Sequence, residues 1–216
     1  MTANAISGKC TIRREDRAVQ VYFAATEFFD PGLALAPGRS KSPESAAAWS
    51  LLAWALRRCR VLDALPERAV DSRGKPYFPS RPDIRFSLSH TRGYVLCALG
   101  GSECGADVQL ISGRDAPFAE KLMDERERAD FTLHELWCLR EAVYKLTGEG
   151  SLRAMRFRRS GGVIVPPFDG AACRLYDCIP GCACALAAWD ASELPDALRE
   201  VPVREIQKSV VIPAPD

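Results

Sequence analysis

The chain has 216 residues, of which 47% are hydrophobic and 26% charged, as in an ordinary globular protein. This length allows one large domain or two small ones that share a core. The net charge of +1 provides no general attraction for a polyanion, so we expect no nucleic-acid partner. Neither a membrane-spanning apolar run nor a signal-peptide pattern at residues 1–9 is present, which predicts a cytoplasmic protein without membrane contact.

The first part of the chain predicts a strand, a helix and a hairpin. Residues 18–24 form the strand. The helix begins with Ser42 as N-cap and Pro43 at the first helical position, and continues to about Val61. The hairpin consists of strands at 84–89 and 94–99, joined by a loop at 90–93.

A glycine-containing joint at 100–103 leads into the second part, which mixes strands and helices. The predicted strands are 105–111, 154–159, 163–165, 173–176 and 182–189. The predicted helices are 118–122, 124–130 and 133–146, the last ended by glycine at 148. Both parts therefore predict an α+β protein rather than a doubly wound parallel sheet.

Two polar side chains on the strand 105–111 indicate a metal site. Asp107 and Gln109 are two residues apart and therefore share one face of the strand. Gly105 before them permits a backbone or a ligand to approach closely. The alternative is an edge strand whose polar side chains simply face the solvent.

The helix 133–146 places Trp137, Glu141 and Lys145 on one stripe. An exposed Glu–Lys pair of this kind is worth only about 0.3–0.5 kcal/mol. The tryptophan on the same stripe favours a partly covered cleft instead. Together with Asp107 and Gln109, the stripe offers two carboxylates, an amide oxygen and an ammonium, the groups that suit a magnesium ion bound to a pyrophosphate.

Two further segments carry donors for phosphate oxygens. Ser89 and His90 are adjacent on a strand, so their side chains point to opposite faces and do not form a hydrolase pair. A G-x-S-x-G elbow is also missing around Ser89. Lys75 lies on a rigid corner before a proline, where it would act as a point-charge clamp.

In this order the motifs resemble those of the 4'-phosphopantetheinyl transferases of the surfactin-synthetase-activating type. The matching segments are Gly74–Pro76, Phe86–His90, Gly105–Gln109 and Trp137–Lys145. The resemblance covers about residues 74–150. It implies the Mg2+-dependent transfer of 4'-phosphopantetheine from coenzyme A to a serine of an apo acyl or peptidyl carrier protein, with release of adenosine 3',5'-bisphosphate.

The resemblance also implies a fold of two similar halves related by a pseudo-twofold axis. Each half would be a small antiparallel sheet packed with helices. The halves would be residues 1–101 and residues 102–216, the second carrying the metal site, with coenzyme A in the cleft between them. Because the cleft is internal to one chain, we expect a monomer.

The resemblance assigns roles to individual side chains. Those implied to hold Mg2+, with Mn2+ as an alternative ion, are Asp107, Gln109 and Glu141. Those implied to bind the phosphates of coenzyme A are Lys75, Ser89, His90 and Lys145. Gln109 replaces a more usual glutamate, which leaves two carboxylates for the ion, a number that magnesium accepts. Arg39 or Lys41 is the candidate for the 3'-phosphate.

The resemblance also implies a base for the carrier serine, an acidic residue that precedes the helix 133–146. Glu127 is the first candidate, directly or through a water, with Glu125 as its rival and Glu141 itself as a third choice. Lys145, together with His90 and Lys75, would stabilise the departing bisphosphate. The expected partner is an acidic carrier protein that docks on Arg153, Arg156 and Arg158.

Two other functions remain open at this level. One is a non-catalytic module that binds a carrier protein or coenzyme A. The other is a Mg2+-dependent hydrolase of nucleotide diphosphates.

Overall fold

A computed structural model describes residues 18–33, 42–113 and 121–208. The strands are β1 (Gln20–Ala25), β2 (Ala69–Val70), β3 (Pro76–Tyr77), β4 (Arg85–Thr91), β5 (Tyr94–Gly100), β6 (Cys104–Leu110), β7 (Arg158–Ser160), β8 (Val163–Val165), β9 (Ala172–Tyr176), β10 (Cys182–Ala188) and β11 (Arg199–Glu200). The helices are α1 (Pro43–Arg58), α2 (Glu125–Asp130), α3 (Leu133–Thr147) and α4 (Val203–Lys208).

The main elements pack as four layers: α1, a sheet of order β11-β1-β5-β4, a sheet of order β6-β10-β9, and α3. One core lies between α1 and the first sheet, and includes Leu52 and Phe86. A second lies between the two sheets around Leu96 and Val108, and a third lies under α3 around Leu139. Because both faces of each sheet are covered, β5 and β10 are almost entirely apolar. The prediction of a mixed α+β fold is confirmed.

The local signals for α1 are confirmed at its beginning. Ser42 caps the helix by accepting a hydrogen bond from the backbone N–H of Ser45 at 3.1 Å, and Pro43 is the first helical residue. The helix ends at Arg58, three residues before the predicted end, and Arg60 then adopts a positive φ of 56°. A backbone in that conformation cannot continue a right-handed helix.

The hairpin of β4 and β5 is tighter than predicted. His90 and Thr91 still pair with Val95 and Tyr94, so only Arg92 and Gly93 remain for the turn. Gly93 has a φ of 88°, which a two-residue turn commonly requires. The predicted loop at 90–93 was therefore wrong by two residues, and β4 continues past Ser89 to Thr91.

The last described residues return to the first sheet. β11 pairs parallel with β1, with Tyr22 opposite Arg199. Val201 and Ile206 enter the core beneath α1. We predicted that the chain is divided after residue 101 into two similar halves related by a pseudo-twofold axis. This division remains a prediction. Within the described ranges, we find no helix that combines the length and apolar character needed to cross a membrane.

Some predicted features lie outside the described residues. These are Arg39, Lys41 and the greater part of the predicted helix at 118–122.

Candidate functional site

The carboxylate of Asp107 is the centre of the candidate site. Asp107 lies in the middle of β6 and is 2% exposed. Its Oδ1 accepts hydrogen bonds from Ser89 Oγ and from Lys145 Nζ, both at 2.7 Å. Its Oδ2 accepts a longer one, 3.3 Å, from Gln109 Nε2. The fold therefore brings four of the predicted site residues together from β4, β6 and α3.

A close contact between α3 and β6 sets this geometry. A Cβ atom on Gly105 would lie 1.8 Å from the carbonyl oxygen of Ala142 in α3, so the helix rests directly on the strand at a position where only glycine fits. This contact brings Lys145 Nζ within 2.9 Å of the Ala106 carbonyl. We predicted that Gly105 permits a backbone or a ligand to approach closely. The group that approaches is the backbone of α3.

Glu141 lies one turn before Lys145 and is half-buried in a pocket of about 210 Å³. Burial raises the pKa of its carboxyl above the usual value, the negative charge of Asp107 raises it further, and Lys145 partly opposes both. The two carboxylates therefore repel each other. The pocket is also lined by Arg73, Gly74, Lys75, Pro76, Ser87, Leu88, Tyr144 and Lys145.

Lys75 connects the first half of the chain to β6 and α3. Its Nζ donates to Glu103 Oε2 at 2.8 Å, to the Cys104 carbonyl at 2.9 Å and to the Lys145 carbonyl at 2.8 Å. These three bonds use all the hydrogens of the ammonium. The bond to Lys145 places a positive charge at the C-terminal end of α3, where the helix dipole favours it. To bind a phosphate, Lys75 would have to exchange one of these partners.

His90 is separated from the Asp107 cluster. It follows Ser89 on β4, so its side chain points to the opposite face of the strand, and it is exposed.

Glu127 is not brought to the site. Its side chain is fully buried, and both carboxylate oxygens accept hydrogen bonds from Arg140, at 3.0 and 3.1 Å. The backbone N–H groups of Asp124 and Phe157 also donate to it. With these partners, Glu127 is a capping residue of α2 and an internal counter-ion, which does not suit the predicted role of base. The spacing Asp124-x-x-Glu127 is a capping-box pattern that the sequence already contains.

The donor set suits a magnesium ion that is bound together with phosphate. In the part of the chain that the structure describes, no group of three or more His, Cys, Asp or Glu side chains could hold a metal. The groups that could still contribute to a metal site are the two neighbouring carboxylates, Asp107 and Glu141, and the amide of Gln109. Magnesium commonly takes one or two carboxylates and completes its octahedron with waters and substrate oxygens. A cation here would also relieve the repulsion that raises the pKa of Glu141.

The other predicted residues follow α3 in the chain and do not line the pocket. Arg153, Arg156 and Arg158 are exposed, and Arg156 Nε lies 3.4 Å from Asp124 Oδ2. Sequence reasoning gave no role to several residues that line the pocket, among them Arg73, Ser87 and Tyr144. Ser87 alternates with Ser89 along β4, and this period of two was the signal that could have identified it.

Comparison with known proteins supports the resemblance seen in the motifs. No protein-family model matches the chain. The 4'-phosphopantetheinyl transferase Sfp of Bacillus subtilis (strain 168) is 28% identical over 134 residues, which are 53% of this chain and 59% of Sfp. The 4'-phosphopantetheinyl transferase psf-1 of Bacillus pumilus is 31% identical over 101 residues, 40% of this chain and 43% of psf-1.

A third relative, the 4'-phosphopantetheinyl transferase AcpT of Salmonella typhi, is 27% identical over 122 residues, 50% of this chain and 64% of AcpT. The chain thus spans about half the length of the curated relatives it matches. The predicted resemblance to this enzyme family is confirmed.

Proposed function

We propose that the protein transfers the 4'-phosphopantetheine group from coenzyme A to a serine of an apo acyl or peptidyl carrier protein. The observation that supports this most directly is the meeting of Ser89, Asp107 and Lys145 in one hydrogen-bonded cluster beside Glu141. These residues come from three of the four segments that resemble the transferase motifs. The curated relatives carry the name of this activity.

Asp107, Glu141 and Gln109 would hold Mg2+, which would neutralise charge on the pyrophosphate of coenzyme A. Lys145 and Ser89 donate to the Asp107 carboxylate in the ligand-free arrangement, and both side chains would turn their donors to phosphate oxygens. Lys75 lines the same pocket and would contact an oxygen of the pyrophosphate. His90, exposed at the outer end of β4 on the other face of the strand, would contact a phosphate outside this pocket.

The chemical step is a displacement at phosphorus. The hydroxyl oxygen of the carrier serine attacks the phosphorus that bears the pantetheine, and its proton passes to a carboxylate. The bond from that phosphorus to the bridging oxygen breaks, and adenosine 3',5'-bisphosphate leaves with the electron pair. Of the three candidates, Glu141 lines the pocket, whereas Glu127 does not line it and is paired with Arg140. We therefore assign the proton to Glu141 rather than to Glu127 or Glu125.

Further parts of the proposal concern the partner and the assembly. Arg153, Arg156 and Arg158 are exposed cations that would attract an acidic carrier protein. The protein would act as a monomer in the cytoplasm. Its two similar halves would hold coenzyme A in the cleft between them.

The test is intact-mass measurement of apo carrier proteins from fatty-acid, polyketide and nonribosomal-peptide systems after incubation with the protein, Mg2+ and coenzyme A. We expect one carrier to gain the mass of a single phosphopantetheine group. Asp107→Asn and Glu141→Gln should each lower the rate about a hundredfold or more. Glu67→Gln, at an exposed loop position, is the matched control and should retain the wild-type rate.

Three outcomes would contradict the proposal. Coenzyme A binding without a mass gain in any carrier would favour a binding module. Release of bisphosphate without a carrier would favour a hydrolase. Full activity in both site variants would show that the chemistry takes place elsewhere.

A further inference from the structure

One edge of β6 is closed by side chains instead of a neighbouring strand. In the described ranges β6 pairs with β10 and stands at the end of its sheet. Along its other edge, the backbone N–H groups of alternate residues donate to hydroxyl oxygens of β4. The pairs are Ala106 with Ser87 at 3.0 Å, Val108 with Ser89 at 3.3 Å and Leu110 with Thr91 at 3.1 Å.

These three pairs form a hydroxyl ladder, the set of Ser87, Ser89 and Thr91 against β6. Its spacing follows from the period of two on both strands, because every second side chain of β4 faces every second N–H group of β6. Ser87 is 2% exposed and Ala106 is fully buried, so water cannot replace this bond. A buried N–H group without a partner is costly, so the strand would shift to find one.

Ala106 connects the inner end of this ladder to the candidate site. Its N–H group donates to Ser87, and its carbonyl accepts from Lys145 Nζ at 2.9 Å. The same Nζ donates to Asp107 Oδ1 at 2.7 Å. A displacement of Ala106 would therefore move the ammonium and the carboxylate relative to each other.

We propose that Ser87 is a positioning residue. Its hydroxyl fixes the backbone of Ala106 on the edge of β6, and the position of Ala106 in turn aligns Lys145 with Asp107. The hydroxyl accepts from backbone and acts on the site through Ala106, not through contact with a ligand. The effect on transfer rests on the proposed function, whereas the effect on the strand does not.

Thr91 provides a matched control within the same ladder. Its partner Leu110 is 38% exposed at the outer end of β6, where water can take the place of the hydroxyl. Thr91→Val removes the hydroxyl with little change in size, as Ser87→Ala does at the inner end. Ser87→Thr keeps the hydroxyl and is the conservative variant.

The first measurement is amide hydrogen exchange of the ligand-free protein, resolved by residue. In Ser87→Ala we expect exchange at Ala106 to rise about tenfold or more relative to wild type, with exchange at Leu146 in α3 unchanged as the control for intact folding. Ser87→Thr should restore slow exchange at Ala106. Thr91→Val should leave Ala106 unchanged. Equal exchange at Ala106 in Ser87→Ala and wild type would overturn the proposal, even if Ser87→Thr does not fold.

The second measurement is steady-state carrier modification. Ser87→Ala should lower kcat about tenfold while changing KM for coenzyme A less than threefold, because misalignment acts on the reacting geometry. If Ser87→Ala lost affinity for coenzyme A while hydrogen exchange at Ala106 stayed unchanged, Ser87 would be a ligand contact. That result would overturn the positioning role. If the wild type modifies no carrier, the proposed function fails, and the exchange result still decides whether Ser87 holds the strand.

Discussion

At the scale of single residues, the candidate site is a charge balance around Asp107. Its carboxylate is compensated by Lys145 at 2.7 Å and by the hydroxyl of Ser89 at the same distance. Glu141 lacks comparable compensation, since burial and the charge of Asp107 both disfavour its ionised form and the attraction of Lys145 is smaller than either. Glu141 is therefore the carboxylate of the site with the least favourable surroundings for its charge.

Glu141→Gln should stabilise the ligand-free protein at neutral pH. The pKa of Glu141 is higher in the folded than in the unfolded chain, so the wild type loses stability as pH rises from the unfolded value to the folded value. The variant avoids this loss. We expect its Tm to exceed that of wild type by about 1–2 °C at pH 7.5 and to equal it below the pKa of the unfolded chain.

Thermal unfolding with chelator present measures the effect of Glu141→Gln, and Glu67→Gln is the control at an exposed position. Mg2+ with coenzyme A should then raise the Tm of wild type more than that of Glu141→Gln. A lower Tm for Glu141→Gln at pH 7.5 would mean that the attraction of Lys145 outweighs the repulsion by Asp107.

At the scale of elements, the contact between β6 and α3 determines which side chains meet. Capping residues set the limits of α3: Thr132 accepts from the N–H of Glu135, and Gly148 ends the helix with a φ of 70°. The helix then lies on β6 at Gly105, and Glu141 and Lys145 of its stripe line the pocket. Trp137, one turn earlier, lines a separate depression beside Gln109. The site is thus set by where one helix rests on one strand.

Gly105→Ala should separate α3 from β6. The new methyl group would lie 1.8 Å from the Ala142 carbonyl and 2.9 Å from the Leu146 nitrogen, both of which are backbone atoms that cannot rotate away. We expect a loss of about 3 kcal/mol in the free energy of unfolding, measured by urea denaturation. Gly113→Ala is the control, because its Cβ would meet nothing within 4 Å. A loss below about 1 kcal/mol at Gly105 would mean that the helix can shift at little cost.

At the scale of the whole molecule, several links join the two sheets. They share the core around Leu96 and Val108, they are bonded through the hydroxyl ladder, and Lys75 reaches from the first part of the chain to β6 and α3. The segment containing β11 and α4 also returns from the second sheet to the first. We therefore expect the molecule to unfold as one unit.

Tryptophan fluorescence can test this cooperativity from both sides. Trp49 and Trp54 report on α1, and Trp137 and Trp189 report on α3 and the end of β10. Double replacement of either pair by phenylalanine leaves one reporter region. In each double variant, the urea midpoints from fluorescence and from far-UV circular dichroism should coincide. Midpoints that differ within one variant would show that the two sheets unfold separately.

The parts of this structure that sequence predicted are those that depend on local chemistry. Ser42 and Gly148 mark helix ends because capping involves neighbouring residues alone. The period of two placed Asp107 and Gln109 on one face, and the period of 3.6 placed Glu141 near Lys145. The motif order also indicated the transferase family before any packing was known.

Tertiary structure decided which of these groups meet. The burial of Glu127 against Arg140, the three acceptors of Lys75 and the return of β11 to β1 each join residues far apart in the chain. Local periodicity carries no information about such partners, because they are selected by the packing of whole layers. The sequence by itself determined the chemical groups of the site and the elements that carry them. The packing of α3 and β4 against β6 decided which of these groups meet and at what distances.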